Sequence, residues 1–336
     1  MDSITHIAVG ACIGEAFAGK KIGKMAIWLG AAANSLPDID FLFSFFTTPA
    51  QNLLAHRGIT HSIFFTLLFC IPLAWLVNKR LHTSGISFKQ WFIFFWSQCL
   101  LHLLLDALNV YGVGWLEPFY QYRFSFNWLY VADFLFSIWP VMAFVALLLL
   151  KKTSVARMRW VKFGLGMSVI YLAYCGYNKY TADKEITNAL QKQQVKYTDY
   201  FTTPTPFNTW LWYVVAKTDS GYYTGYHSVF DRDDFITLRY NKANHHLLAP
   251  VENETETKQL IRFSKGFYTV KNIDDSLVFS DLRFGQIRGW NESDTAFAFY
   301  YFMQHPEANA LVVQRGRFAG WDKDAVEKLL KRIKGN

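Results

Sequence analysis

Residues 54–65 read LAHRGITHSIFF. Two imidazoles, His56 and His61, and one guanidinium, Arg57, stand directly ahead of a long apolar run. Ionisable groups at membrane depth are costly, so such a cluster marks a function or a set of partners. The run that follows, Thr60–Asn78, is near the ~20 residues that a bilayer requires. Three more runs of similar length follow it: Lys89–Asn109, Trp128–Leu150 and Trp160–Asn178. Two shorter segments precede it, Thr5–Ala18 and Lys24–Ser35. They are rich in Ala and Gly, which suits close helix packing, and they are short for spanning.

The rest of the composition agrees. The chain has 336 residues, 52% hydrophobic and 18% aromatic, with only 18% charged, against about 25% in soluble domains. The apolar runs lie between about residue 60 and residue 178, and beyond 179 the chain reads like an ordinary soluble protein. All four cysteines, Cys12, Cys70, Cys99 and Cys175, fall within apolar segments and none forms a C-x-x-C pair, so they read as small buried residues. The start MDSITHIAVG has no basic n-region, so no cleaved signal peptide is expected.

The net charge of +8 is a topology signal rather than a nucleic-acid footprint. Loops 19–24, 79–89 and 151–162 hold eleven Lys and Arg between them, whereas loops 36–59 and 110–127 hold only Arg57 and Arg123. This bias places the three basic loops in the cytoplasm. The N-terminus, the alternate loops and everything after residue 179 then lie outside.

The expected fold is a mainly α membrane protein. A polytopic helical bundle, with four long spans and two short N-terminal segments, occupies residues 1–178. A linker covers 179–206, helical over residues 179–195. A small extracytoplasmic α+β domain with an antiparallel sheet covers 207–336. Its strands are TWLWYVVAK, GYYTGYHSVF, FITLRY, KGFYTVKN, SLVFSDLRFGQ and TAFAFYYFMQ, divided by the turn signals DSG, NESD and DD. DKDAVEKLLKRIKGN closes the chain as an amphipathic helix. His227, His245 and His246 read as surface or sheet residues.

On this topology the His and Asp residues gather at one level. His6 begins the first segment, and Asp38 and Asp40 of SLPDID end the second. His56 and His61 precede the third, His102 and Asp106 lie in the outward half of the fourth, and Asp133 lies just inside the fifth. His102 and Asp106 are four apart, so a helix puts both on one face, where adjacent turns can ligate one ion. Gly58 lets the chain turn between His56 and His61. In PDID one Asp can ligate while the other orients a ligating His. A nitrogen-and-oxygen donor set favours zinc, with manganese or iron as alternatives, and the number of donors allows one to three ions. Each candidate also has a plainer reading. His6 can be interfacial, PDID can be a turn and helix cap, and HRG can be an outer loop. Arg57 can meet a phosphate or a neighbouring Asp, and Asp133 can ligate, support a ligand or pair with Arg123. Glu15 and His82 fall at the cytoplasmic side and are set apart.

An early His6, then PDID, then HRGITHS, then HLLLD in an apolar helix resembles the bacterial inner-membrane family described as membrane-bound metal-dependent hydrolases, over about residues 1–180. The pattern is also distantly similar to zinc-dependent phospholipase C, although it lacks a later H-x-x-x-E pair. The resemblance implies metal ligation by His6, Asp38, Asp40, His56, His61, His102 and Asp106. The expected activity is hydrolysis of a lipid or lipid-linked phosphoester at the outer face of the inner membrane, with Arg57 assisting. A membrane lipid is then the partner, and no nucleic acid is expected. The alternatives are a membrane anchor with a structural metal and a metal transporter or sensor.

Overall fold

The computed structural model describes residues 1–233, 235–251, 254–273, 276–290, 296–304, 309 and 321–336. The chain divides into two compact units, one of residues 1–45 and 55–176, the other of residues 46–54 and 177–336.

The first unit is helical. Its elements are α1 (Ser3–Ile22), α2 (Met25–Asn34), α4 (Ile63–Arg80), α5 (Phe88–Ala107), α6 (Phe134–Leu149) and the first part of α7 (Ala156–Lys192), while α3 (Pro49–Ala55) falls at the boundary. Helix starts carry side-chain caps. Asp2 accepts from the Thr5 amide, Ser62 from Phe65 and Asp133 from Phe136, and Ser87 with Gln90 forms a capping box. The two short segments expected at the N-terminus are unequal, since α1 has 20 residues and α2 has 10. They pack with backbone almost touching. A Cβ on Gly14 would lie 2.1 Å from the Ala26 carbonyl oxygen, and one on Gly30 would lie 2.1 Å from that of Gly10. Only glycine allows this approach, and it brings the start of α1 beside the end of α2.

The expected bundle of four long spans is corrected in part. Among the described residues, one helix, Ile63–Arg80, is both long and apolar enough to cross a membrane. Helix α6 is apolar but has 16 residues, because Asp133 caps it and the preceding residues are spent in loop structure. Helix α5 is diluted by Lys89, Gln90, Gln98, His102 and Asp106, and α7 opens with Arg157, Arg159 and Lys162. Large apolar side chains nevertheless face outward, including Phe64, Leu68, Ile71 and Trp75 on α4 and Met142, Val145 and Leu149 on α6. A helix surface of that kind suits lipid better than water.

The basic loops meet at one end of this unit. Lys21 Nζ donates to the Gly85 carbonyl at 2.8 Å and Lys24 Nζ to that of Leu148 at 2.5 Å. Nearby, Arg157 forks onto the two oxygens of buried Glu15 at 2.7 Å each. Cys70 and Cys99 are free, buried and 3.7 Å apart.

The second unit holds two antiparallel sheets. One has the order β1 (Asp199–Pro204), β2 (Leu211–Lys217), β3 (Gly221–Ser228), β4 (Arg239–Lys242). The other has the order β5 (Tyr268–Ile273), β6 (Ser276–Gln286), β7 (Phe297–Phe302). Strand β2 reads as an unbroken apolar run because both its faces are covered. Tyr213 and Val215 join a core with Tyr222, Val270 and Phe279, while Trp212, Val214 and Ala216 meet Ala182, Ile186 and Ala189 of α7. The expected linker 179–206 is therefore structured. Helix α7 runs to Lys192, and β1 pairs with β2. Of FITLRY only Arg239 and Tyr240 fall in a strand. The turn NESD, Asp234 and Thr295 lie outside the described residues. Helix α8 (Thr255–Phe263) precedes β5, and α9 (Lys323–Ile333) packs Leu329 and Ile333 on Leu211.

His227, expected at the surface or in the sheet, is a buried β3 residue with two carboxylates. Its Nε2 lies 2.8 Å from Glu185 on α7 and its Nδ1 3.3 Å from Asp231, which also takes two bonds from Arg332 of α9. Burial would lower the His227 pKa, but Asp231 and Glu185 outweigh it and raise it above its ordinary value. A raised folded-state pKa contributes stability that is full below about pH 6.5 and is lost as pH rises through the folded value. In thermal unfolding of the detergent-solubilised chain, the advantage of wild type over His227→Gln should shrink from about pH 6 to about pH 9. Parallel pH profiles would contradict it. Gly14→Val should cost about 1–3 kcal/mol through overpacking, whereas Gly166→Val, at a position with nothing within 4 Å, should be nearly neutral in the same scan.

Candidate metal centre

Five short pieces of chain converge at the other end of the helical unit. Helix α1 brings His6 from its first turns, and α2 ends at Asn34. A 3₁₀ segment, Pro37–Phe45, follows and carries Asp38 and Asp40. The HRG turn leads through a 3₁₀ turn, Ile59–His61, into α4, and α5 brings His102 and Asp106 on one face. In the turn it is Arg57, not Gly58, that takes the left-handed conformation, with φ of 61°. Its amide donates to Asp40 Oδ2 at 2.8 Å and its carbonyl accepts from Gly114 at 2.9 Å. Those two bonds hold a conformation that a non-glycine residue adopts at a cost.

Asp38, His61, His102 and Asp106 present four donor atoms within 4.8 Å of one another. His61 Nε2 and His102 Nε2 are 3.1 Å apart. Asp106 Oδ2 lies 3.4 Å from each, and Asp38 Oδ1 lies 3.6 and 3.5 Å from them. A tetrahedral zinc with bonds of about 2.0–2.1 Å places its donors about 3.3–3.4 Å apart. The observed spacing fits.

The outer nitrogens explain why a cation belongs there. His61 Nδ1 lies 3.2 Å from Asp40 Oδ2, and His102 Nδ1 lies 2.6 Å from the Asn34 carbonyl. With each Nδ1 turned to an oxygen, the two Nε2 atoms face each other at hydrogen-bond distance. A proton shared between the rings satisfies that contact, and so does a metal ion, for which the four converging donors are suited. Asp106 Oδ2 supplies a second sign. It is buried and accepts no well-directed hydrogen bond, although Arg57 Nε is 3.0 Å away. His61, His102 and Asp106 are sealed, whereas the Asp38 side chain is 26% exposed. Burial works against the charges of Asp38 and Asp40, yet His102 and His61 beside Asp38, and His56 and His61 beside Asp40, hold both carboxyls well below the ordinary range.

The other candidates surround this group. His6 stacks on His102 with ring centroids 3.7 Å apart, and its Nε2 lies 3.2 Å from Asp106 Oδ1, an oxygen that also meets the Met1 amine. Asp40 orients His61 and accepts from the Arg57 amide. His56 is 44% exposed at its side chain, with Nδ1 3.1 Å from Asp40 Oδ1. Arg57 is buried. Its Nη1 donates to Asn109, Nη2 reaches the Met1 carbonyl, and Nε faces Asp106. Its terminal nitrogens are committed to protein atoms and its Nε forms an ion pair with Asp106, so of its two expected partners the structure shows the Asp. Asp133 caps α6 and accepts from the Tyr171 hydroxyl at 3.1 Å rather than pairing with Arg123. Arg123 instead donates to the His56 and Gly112 carbonyls.

Three residues escaped the sequence reading. Asn34 accepts from His6 through its side chain and from His102 through its carbonyl, Gln98 Oε1 accepts from the Asn34 amide nitrogen at 2.8 Å, and Asn109 accepts from Arg57. Each is an amide side chain in an apolar run, which is the signal that a search for His and Asp alone passes over.

The sequence model of the YdjM inner membrane protein family matches residues 1–182, a stretch that contains every residue of this centre. One relative, inner membrane protein YbcI of Escherichia coli (strain K12), is 36% identical over 128 residues, which are 37% of this chain and 72% of the relative. No solved structure matches. Both descriptions name a location, and neither names a reaction.

If Asp40 orients His61, Asp40→Asn should weaken zinc binding about 10–100-fold while leaving the four donors in place. Competition against a chromogenic chelator measures this, and an unchanged affinity would remove Asp40 from that role.

Proposed function

We propose, for a chain that belongs to the YdjM inner membrane protein family, that the four-donor centre holds one divalent ion, and that the protein is a metal-dependent hydrolase of an amphiphilic phosphoester or ester at the outer face of the inner membrane. The observation that carries the metal is the convergence of two imidazole nitrogens 3.1 Å apart and two carboxylate oxygens, all within 4.8 Å of one another. Two nitrogens and two oxygens favour zinc. A divalent ion there supplies Lewis acidity toward a phosphoryl or carbonyl oxygen and acidifies water.

The chain's own residues suggest how a substrate is met. Asp38 is the half-open donor, so approach is from its side. The same 3₁₀ segment exposes Phe41, Phe43 and Phe45, and the loop bonded to the HRG turn exposes Phe119, Tyr120 and Tyr122. Such aromatics suit the level of lipid headgroups. Arg57 forms an ion pair with Asp106 and adds positive charge where negative charge would develop. His56, half-exposed and held at Nδ1 by Asp40, has Nε2 with which to move a proton. The basic loops at the opposite end support placing this centre outside.

A second reading has its own observation. Four protein ligands make a closed set, the pattern of structural zinc, while catalytic zinc keeps a position open. On that reading the ion ties α4, α5 and the PDID segment together and nothing is turned over.

Elemental analysis of the detergent-purified chain should give about one zinc per chain, absent in His61→Ala and Asp106→Ala. With short-chain phospholipids and fluorogenic esters as probes, hydrolysis should fall at least about 100-fold on chelation and return with zinc. Zinc bound without hydrolysis of any probe, with a lowered unfolding temperature on chelation, supports the structural reading. Absence of stoichiometric metal sinks both.

A further inference from the structure

A recess of about 630 Å³ opens at the end of α1 and α2 remote from the metal centre. Lys20, Lys21 and Lys24 line it from the α1–α2 turn, and Lys152 and Thr153 line it from the α6–α7 turn. No lining residue is acidic. The nearby carboxylate, Glu15, is already neutralised by both arms of Arg157. Lys21 and Lys24 tie their amines to helix-end carbonyls of Gly85 and Leu148, which fixes the walls. Lys20 and Lys152 are exposed and have no partner among the described residues. The Lys152 stem runs past Gly23, whose φ of 63° turns the chain between the two helices.

The surroundings are apolar. Met25 and Trp28 on α2 are 49% and 56% exposed, and Leu149 at the end of α6 is 80% exposed. Trp28 meets Phe144 of α6 edge to face, so an apolar seam between α2 and α6 leads away from the lysines. A cationic recess above an apolar seam matches a molecule with a phosphate head and acyl chains. Basic pockets between membrane helices bind such headgroups.

We propose that this recess binds the phosphate of an anionic phospholipid, with the acyl chains along the α2–α6 seam. The inference rests on inner-membrane membership and this geometry, and it is independent of the metal reading.

The test titrates the full chain in mild detergent with short-chain phosphatidylglycerol or phosphatidylcholine, read by native mass spectrometry. Phosphatidylglycerol should bind at least about tenfold tighter. Each lysine near a membrane surface contributes about fivefold toward an anionic lipid, so Lys20→Ala with Lys152→Ala should weaken it about 25-fold. The double Lys→Arg variant should keep it, and circular dichroism should show unchanged helix content in both. Equal binding of the two lipids, or no effect of the alanine pair, overturns the proposal. Inorganic phosphate binding as tightly as the lipid, with the same lysine dependence, assigns the recess to a free anion and overturns the lipid.

Discussion

Two imidazole nitrogens held 3.1 Å apart in a buried setting are the constraint around which the helical unit is arranged. Neither ring is free to turn away. One is tied through Nδ1 to a carboxylate on the PDID segment, the other to the last carbonyl of α2. Asn34 and Asp40 therefore sit where they do because the rings need acceptors, and the end of α2 and the course of the chain after it follow. Arg57 extends the same logic. Its backbone meets Asp40 and Gly114 and its side chain meets Asp106 and Asn109, so one strained residue ties the PDID segment, α5 and the following loop together.

This arrangement separates chemistry by charge sign. Most of the buried carboxylates and imidazoles of this unit collect at one end of the helices and its lysines at the other. The separation is carried by the close α1–α2 pair, whose glycine contacts leave the two axes no room for side chains between them. His6 and the lysine turn then occupy opposite ends of one helix. A membrane rewards such a separation, because the positive end prefers the cytoplasmic side.

Much of the centre was legible in the sequence, for identifiable reasons. His102 and Asp106 share a helix face by the four-residue repeat alone. PDID and HRGITHS were readable as candidate donors because they bring His and Asp to the same end of the apolar segments as the His102/Asp106 pair, although each also had a plainer reading as a turn or loop. Which Asp of PDID would face the other donors was not readable, since the choice depends on a 3₁₀ path that spacing does not determine. His6, Asp40 and His56 carried the same signal as the four donors, yet the structure places them beside that group rather than within it. Ligand and support draw on the same residue types, and only distance separates them. The strands of the second unit were plain where aromatic and β-branched residues alternate or run together, as in β2 and β6. FITLRY failed because pairing with β3 begins only at Arg239. Helix lengths were least legible. Hydropathy cannot see that Asp133 delays α6 or that Asn34, Gln98 and Asn109 are held within an apolar run by specific partners.

The closed donor set and the half-open Asp38 are two sides of one geometry. Three donors, His61, His102 and Asp106, come from regular or near-regular helix starts and ends, and each is sealed and held by further partners. Asp38 differs in the last two respects. It is partly exposed, and its ion pairs are with the two imidazoles. A ligand with fewer ties and access to solvent is the one whose displacement costs least. Were an ion held there, His61, His102 and Asp106 would be its fixed ligands and Asp38 the replaceable one, which would reconcile the four-donor spacing with the open position that a catalytic metal needs. The exposed aromatic side chains on the same 3₁₀ segment place that replaceable ligand on the side from which an amphiphile would come.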